Sequence, residues 1–439
     1  MSRPSSADQG GEGIDVPPYF LCPISLQIMR DPVTLPTGIT YDREAIEKWI
    51  FSKKEEQCPT CPVTMQPLAV DGAELTPNHT LRRFIQAWCD AHASYGVERF
   101  PTPRPPLDKA QIAKLLDEAR ETQSSKVAAL KKLRLIVDES ERNRQCAEAA
   151  GAPDFLVSVV RTSGAMPPSS DEETNWWNEE SMSGAGPCEE ALRILHSFQI
   201  SPQGFCELMA QNSDLVELLT AVLKGGGHYQ SRAYATFLLR SILEALAPII
   251  LFRLREEVVV ELVNVVRDNI SSNVTKEALQ GLARLCQRGC NRVKAADAGG
   301  VRVLVELLLD EPRKSVCEMA LVLLEQLCGC AEGRAELLGH HAGLALVSQK
   351  MLTVSPLATG RATRVLHSVC RLSATPSVLE EMVQMGVVSK LCLLLQVDGG
   401  SRTGEIAKDM LGLHWETWKN SPCFPRRLLS TQTIYSLFG

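Results

Sequence analysis

The chain has 439 residues, 44% of them hydrophobic and 22% charged, with a net charge of −6 at pH 7. That length exceeds one domain and that apolar share can bury a long core, while mild acidity gives no general attraction for nucleic acid or anionic membrane. No run approaches 18 apolar residues, the start carries no basic-then-apolar leader, and 15 cysteines in that context read as reduced thiols, so a soluble protein of the cytoplasm or nucleus is expected.

Residues 1–14 are polar and glycine-rich, and disorder is expected there. In the next stretch Pro23, Pro32, Pro36 and Gly38 punctuate short apolar runs, which suits loops and short strands. Asp42 stands where a helix N-cap belongs, with Glu44 in the first turn, where a carboxylate favours the helix dipole. Ile46, Trp49 and Ile50 then form one apolar face at i, i+3, i+4 spacing. A proline-bounded loop runs from Cys58 to Pro67. A second helix starts near Asn78 or Thr80 and is expected to turn Leu81, Phe84, Ile85 and Trp88 inward.

This order of loop, helix, loop, helix over residues 15–90 is also that of a two-zinc RING, which needs eight Cys or His ligands in spaced pairs. The segment offers Cys22, Cys58, Cys61, Cys89, His79 and His92. Cys22 has no partner two or three residues on, and the Cys58–Cys61 pair has no second pair facing it. The expectation is therefore a zinc-free RING-like α+β shape, with no metal and no cofactor. Asp42, Arg43, Glu44, Thr37, Thr40 and Thr64 are the polar groups available to hold it by hydrogen bonds.

Phe20 to Ser25, Asp31 to Val33, Gly38 to Arg43, Cys61 to Thr64 and Pro77 to Arg82 follow the U-box pattern in the right order. Over nearly its full length the chain is similar to plant U-box proteins with armadillo repeats, and the segment from Tyr95 to Pro103 resembles one subgroup of them. The resemblance implies a ubiquitin-protein ligase that docks a ubiquitin-conjugating enzyme charged with ubiquitin, and a family often tied to stress and defence. It puts Ile24 and Leu26 at the first-loop contacts, Trp49 in the groove and Pro62 at the second-loop contact. Cys22, Asp42, Arg43 and Thr64 would support the module. An apolar loop tip beside an aromatic, rimmed by polar groups, has the makings of a protein-binding hot spot. For Trp49, core packing fits as well as contact.

Many active ligases of this type carry a Lys or Arg shortly after the second-loop proline, bridging ubiquitin and the conjugating enzyme. Here that position is Met65, which cannot donate a hydrogen bond to a carbonyl. No catalytic residue is expected on this chain, because in such ligases the thioester belongs to the conjugating enzyme and the ligase acts by proximity. Cys286, Cys317, Cys328, Cys370 and Cys392 lie in apolar helical runs, where free cysteine behaves as a small buried hydrophobe.

Residues 91–107, with Pro101, Pro103, Pro105 and Pro106, read as a stiff linker. From 108 to 425 the pattern is helical and repeats. Gly300, Gly343 and Gly386 are 43 residues apart and each precedes an apolar run, while Cys286, Cys328 and Cys370 recur every 42. That period, with three helices per unit, predicts an armadillo α-solenoid of about five or six units whose concave groove holds a protein substrate. The six tryptophans do not recur with the repeat, which argues against a nuclear-import receptor. Residues 161–187 are acidic and rich in Ser, Gly and Pro, so a disordered insertion is expected, with Trp176 and Trp177 as a tether or a binding motif. Residues 426–439 form a tail. The expected architecture is mainly α. Its expected function is ubiquitin ligase, with a non-catalytic armadillo adaptor as the alternative; pairing of two copies through the U-box is left open.

Overall fold

The computed structural model describes residues 16–52, 60–68, 75–92, 109–121, 123–164, 186–225, 229–287 and 289–419. The N-terminal segment 1–14, nearly all of the linker, most of the 161–187 insertion with Trp176 and Trp177, Cys58 and the tail 426–439 lie outside them. Contacts divide the chain into two units, residues 1–152 and 153–439.

The first unit opens with the RING-like module expected over residues 15–90. Its three short strands, β1 (Pro32–Thr34), β2 (Thr40–Asp42) and β3 (Thr76–Pro77), form an antiparallel sheet in the order β2-β1-β3. Gly38 turns the β1–β2 hairpin at φ +81°, a backbone region that glycine enters without strain. Helix α1 (Arg43–Ser52) follows directly, and α2 (His79–Ala91) starts at Asn78, whose side chain accepts from the Leu81 amide at 3.0 Å. Phe20, Cys22, Met29, Val33, Tyr41, Ile46, Cys61 and Ile85 make one buried cluster, with Trp49, Ile50, Leu81 and Trp88 packed against it.

Two expectations need correction here. Phe84 points outward, 63% exposed, and Ile85 and Cys89 are the buried centre of α2. Phe84 sits about 100° around the helix from Ile85, just past the edge of the buried face. Ala91 still belongs to α2, so the helix runs past the expected end of the module. The unit continues through α3 (Lys109–Glu121), α4 (Gln123–Glu139) and α5 (Glu141–Ala149).

The second unit is a stack of helices. After α6 (Ala152–Gly164) and α7 (Pro187–Ser197), helices recur in threes. They run α8 (Pro202–Gln211), α9 (Leu215–Lys224) and α10 (Tyr229–Ala245), then α11 (Pro248–Arg253), α12 (Glu256–Asp268) and α13 (Ser272–Leu285). The series goes on with α14 (Gly289–Asp297), α15 (Gly300–Asp310) and α16 (Lys314–Leu327), and with α17 (Ala331–Gly339), α18 (Gly343–Lys350) and α19 (Pro356–Leu372). It closes with α20 (Pro376–Gln384), α21 (Val387–Asp398) and α22 (Arg402–Leu413), and a last turn, α23 (Trp415–Trp418), seals the end with a fully buried Trp418. Each third helix packs on the next, from α7 through α10, α13, α16 and α19 to α22. Helix α6 extends past Arg161, whose guanidinium makes a two-pronged bond to Asp214 at 2.6 and 2.9 Å, so the insertion begins later than 161.

The 43-residue glycine period mixes two positions. Gly386 precedes α21 in the left-handed region at φ +72°, but its counterpart one repeat pair back is Gly299, at φ +79°. Gly300 and Gly343 are instead the first residues of their helices. A Cβ there would lie 2.5 Å from the Ala295 carbonyl oxygen and 2.3 Å from that of Leu337. The first pair needs glycine for backbone conformation, the second for closeness.

Candidate functional site

The two expected docking loops have one design. In the first, the Leu26 amide donates to the Cys22 carbonyl at 2.8 Å and the Cys22 amide to Gln27 at 2.8 Å. In the second, Met65 donates to Cys61 and Cys61 to Gln66, both at 2.9 Å. Leu26 and Met65 occupy equivalent left-handed positions, at φ +56° and +57°. Each loop is pinched at its base by a bridge, Leu21 with Ile28 and Thr60 with Pro67. Cys22-Pro-Ile-Ser-Leu-Gln and Cys61-Pro-Val-Thr-Met-Gln are therefore one loop used twice.

Ile24 and Trp49 meet on one groove between the first loop and α1, lined also by Gln27, Ile28, Ala45 and Lys48. Trp49 is half-buried, and its ring nitrogen donates to the Thr60 carbonyl at 2.9 Å. It both packs on the core and ties α1 to the base of the second loop. Leu26 stands at the loop tip, 74% exposed, outside the groove lining, and Pro62 is half-buried beside Cys61. Val63 and Met65 are exposed at the second tip, at 53% and 68%.

Asp42 ends β2 and turns its carboxylate to the chain just before β1, accepting from the Arg30 and Asp31 amides at 2.8 and 2.9 Å. Burial pushes its carboxyl up, and those two N–H groups pull it back. Its own amide points at the Cys22 sulfur at 3.3 Å. Arg43 Nε donates to Asp31 Oδ2 at 2.6 Å, and Arg82 approaches Asp31 Oδ1 at 3.5 Å. Thr40 bonds Thr34 at 2.9 Å, which in turn accepts from Asn78 at 3.4 Å. Thr64 receives the Gln66 amide at 3.5 Å. Glu44 stands apart from this network and pairs with Lys48 at the surface.

Asp31, Arg82 and Tyr41 fall within the U-box pattern of the sequence, which assigned them no role of their own. The signal that could have found Asp31 is an acid set between short apolar runs, directly before a proline. Burial pushes the Cys61 thiol up, yet hydrogen bonds from Thr37, Thr64 and Tyr41 outweigh it and bring the thiol down to about 6. Among the described residues no three His, Cys, Asp or Glu side chains gather as a metal site requires. In the array, burial pushes Cys286, Cys328 and Cys370 up to about 12, which leaves them inert thiols.

On the array, the third helices are joined side to side. Arg240 reaches Glu277 at 3.3 Å and Gln280 at 3.1 Å, linking α10 to α13. Arg361 and Arg364 share Glu325, both at 2.8 Å, linking α19 to α16. His367 meets Asp409 of α22 at 2.7 Å. His196 of α7 stacks on Phe237 of α10, with centroids 5.0 Å apart. Each such pair is worth little alone at a half-exposed surface, so the row defines chemistry more than stability.

The U-box domain model matches residues 16–94, and that of the plant U-box protein ARM repeat region matches residues 111–435. The chain belongs to the plant U-box armadillo-repeat family. It is 47% identical to the E3 ubiquitin-protein ligase PUB23 of Arabidopsis thaliana over 95% of this chain and 97% of that one. It is 45% identical to the E3 ubiquitin-protein ligase PUB22 of the same plant, over 94% and 98%. PUB24, also an E3 ubiquitin-protein ligase of that plant, is 34% identical over 96% and 97%.

Proposed function

We propose that this protein is a ubiquitin-protein ligase. Its U-box docks a charged ubiquitin-conjugating enzyme, and ubiquitin passes from that enzyme to lysines of a substrate held on the third-helix face of the array. The observation that carries this reading is the groove where Ile24 and Trp49 meet, with Trp49 bonded to Thr60. An apolar floor, an aromatic wall and a rim of Gln27 and Lys48 offer a partner burial at the centre and hydrogen bonds at the edge. Leu26 and Pro62 extend the contact from the two loop tips. No side chain of this chain takes part in bond making. The acceleration comes from holding thioester and lysine together.

Ubiquitin transfer in a reconstituted mixture tests the reading. Wild type should form chains, and Ile24→Ala and Trp49→Ala should abolish them with the circular dichroism spectrum unchanged. Chain formation that survives both substitutions would mean the enzyme docks elsewhere.

A second reading, a non-catalytic adaptor, has Met65 in its favour. That residue stands exposed at the tip of the second loop, where many active ligases carry a cation. A wild type inert with a broad panel of conjugating enzymes would favour the adaptor.

A further inference from the structure

Cys61 is fully buried, and its sulfur is the meeting point of three separate elements. Thr37, in the β1–β2 turn, donates its hydroxyl at 3.4 Å, and the Tyr41 hydroxyl, from β2, lies at 3.2 Å. Thr64, from the second loop itself, adds its hydroxyl and its amide. A neutral thiol is a weak acceptor and would have to place its own proton on the Tyr41 oxygen. An anionic sulfur accepts from every one of these groups, and more strongly. The equivalent sulfur of the first loop, Cys22, is approached by a single amide, that of Asp42. The two loops share a backbone but not this cluster.

We infer that Cys61 is held as a thiolate and that this anion is a positioning group of the second docking loop, keeping Pro62, Val63 and Met65 in place for the conjugating enzyme. The inference rests on the docking function proposed above.

The titratable groups that bear on the sulfur fit this assignment. Burial first, and then the bond to Cys61, push the Tyr41 phenol far up, so it stays a donor at any working pH. Cys22 acts on Tyr41 more weakly. Because the Cys61 thiol falls to about 6, it is charged at neutral pH and takes a proton as the medium is acidified through that value. On protonation the sulfur gains a hydrogen that competes with Thr37, Thr64 and Tyr41, and the loop loses its anchor. If only the thiolate form docks, the competent fraction falls from nearly all at pH 7.5 to about a quarter at pH 5.5, and affinity drops about fourfold.

Two measurements on the full-length chain test this. The first is thiolate absorbance near 240 nm as a difference between wild type and Cys61→Ser. A midpoint near 6 supports the inference, and one near the ordinary thiol value overturns it. The second is the affinity for an uncharged conjugating enzyme across the same pH range, for wild type, Cys61→Asp and Thr37→Val. Aspartate supplies a permanent anion, so its affinity should stay level where that of wild type falls. Loss of the Thr37 donor should move the wild-type inflection to higher pH. An inflection shared by wild type and Cys61→Asp would overturn the inference. Absence of binding by every variant at every pH would sink the docking function, and the absorbance midpoint would then decide the sulfur's charge state alone.

Discussion

In the U-box, groups apart in sequence converge on single side chains. Asp31 gathers Arg43 and Arg82, Asp42 gathers two amides, and the Cys61 sulfur gathers donors from three elements. In the array, by contrast, side-chain bonds between successive third helices repeat at nearly fixed separation, from 36 residues for Arg361 and Glu325 to 42 for His367 and Asp409. The difference teaches what each part can lose. A small core cannot spare a hub, because its few polar contacts replace the area a larger domain would bury. A stack of repeats depends on many equivalent interfaces and gives way locally.

The strongest test removes a core side chain from the stack. Leu324 of α16, a helix packed against α13 and α19, is fully buried. Leu324→Ala should cost about 2–5 kcal/mol. Hydrogen exchange should show the loss confined to α13, α16, α19 and their neighbours, with U-box amides protected as before and substrate-independent chain formation retained. Loss of U-box protection in the same variant would show that the two parts unfold as one.

Asp31→Ala probes the opposite behaviour. It removes the partner that Arg43 and Arg82 share, leaving Arg43 the longer pair with Glu47 at 3.8 Å, and should cost about 1–3 kcal/mol. Exchange should then rise across β1, β2 and α1 together, and affinity for a conjugating enzyme should fall. Protection lost only at the Arg43 and Asp31 amides would mean the carboxylate is an ordinary surface partner.

How far the sequence carried differs between the two parts in the same way. Repeat period, helix order and buried cysteines of the array were legible, because periodicity is a local property that stacking preserves. Even there the period was misassigned at Gly300 and Gly343: spacing counts residues and cannot tell a left-handed turn from a close approach. In the U-box, the motif order could be read from residue types, and the family resemblance then singled out Ile24 and Trp49. The partners of those side chains could not. Asp31 looks like any loop acid until the sheet brings Arg82 beside it, and Cys61 looks like half of a metal pair until Thr37 and Tyr41 fold onto it.

The glycine distinction has its own measurable size. Gly343→Ala forces a Cβ against the Leu337 carbonyl, so α17 and α18 must separate, at a cost of about 2 kcal/mol or more. Gly386→Ala meets no atom within 4 Å and bears only the left-handed backbone penalty, about 1 kcal/mol. Thermal unfolding of both variants should rank them in that order. Equal effects would return Gly343 to the role of a simple turn residue.

The smallest expected change in the fold comes with the most specific change in activity. Met65 already occupies the left-handed region, as an exposed non-glycine residue at φ +57°. Met65→Arg exchanges one unbranched side chain for another at an unchanged backbone cost, so stability should move by less than about 0.5 kcal/mol. The loop bonds of Cys61, Met65 and Gln66 use backbone atoms and are indifferent to the substitution. What changes is chemistry at the tip: a guanidinium brings five donors where a thioether brings none. If docking alone limits this ligase, affinity and chain formation should both stay level. If the missing cation limits transfer after docking, chain formation should rise several-fold at unchanged affinity for the conjugating enzyme. Arginine that raised affinity instead would place Met65 inside the docking contact itself and extend the groove from Ile24 and Trp49 to the second loop tip.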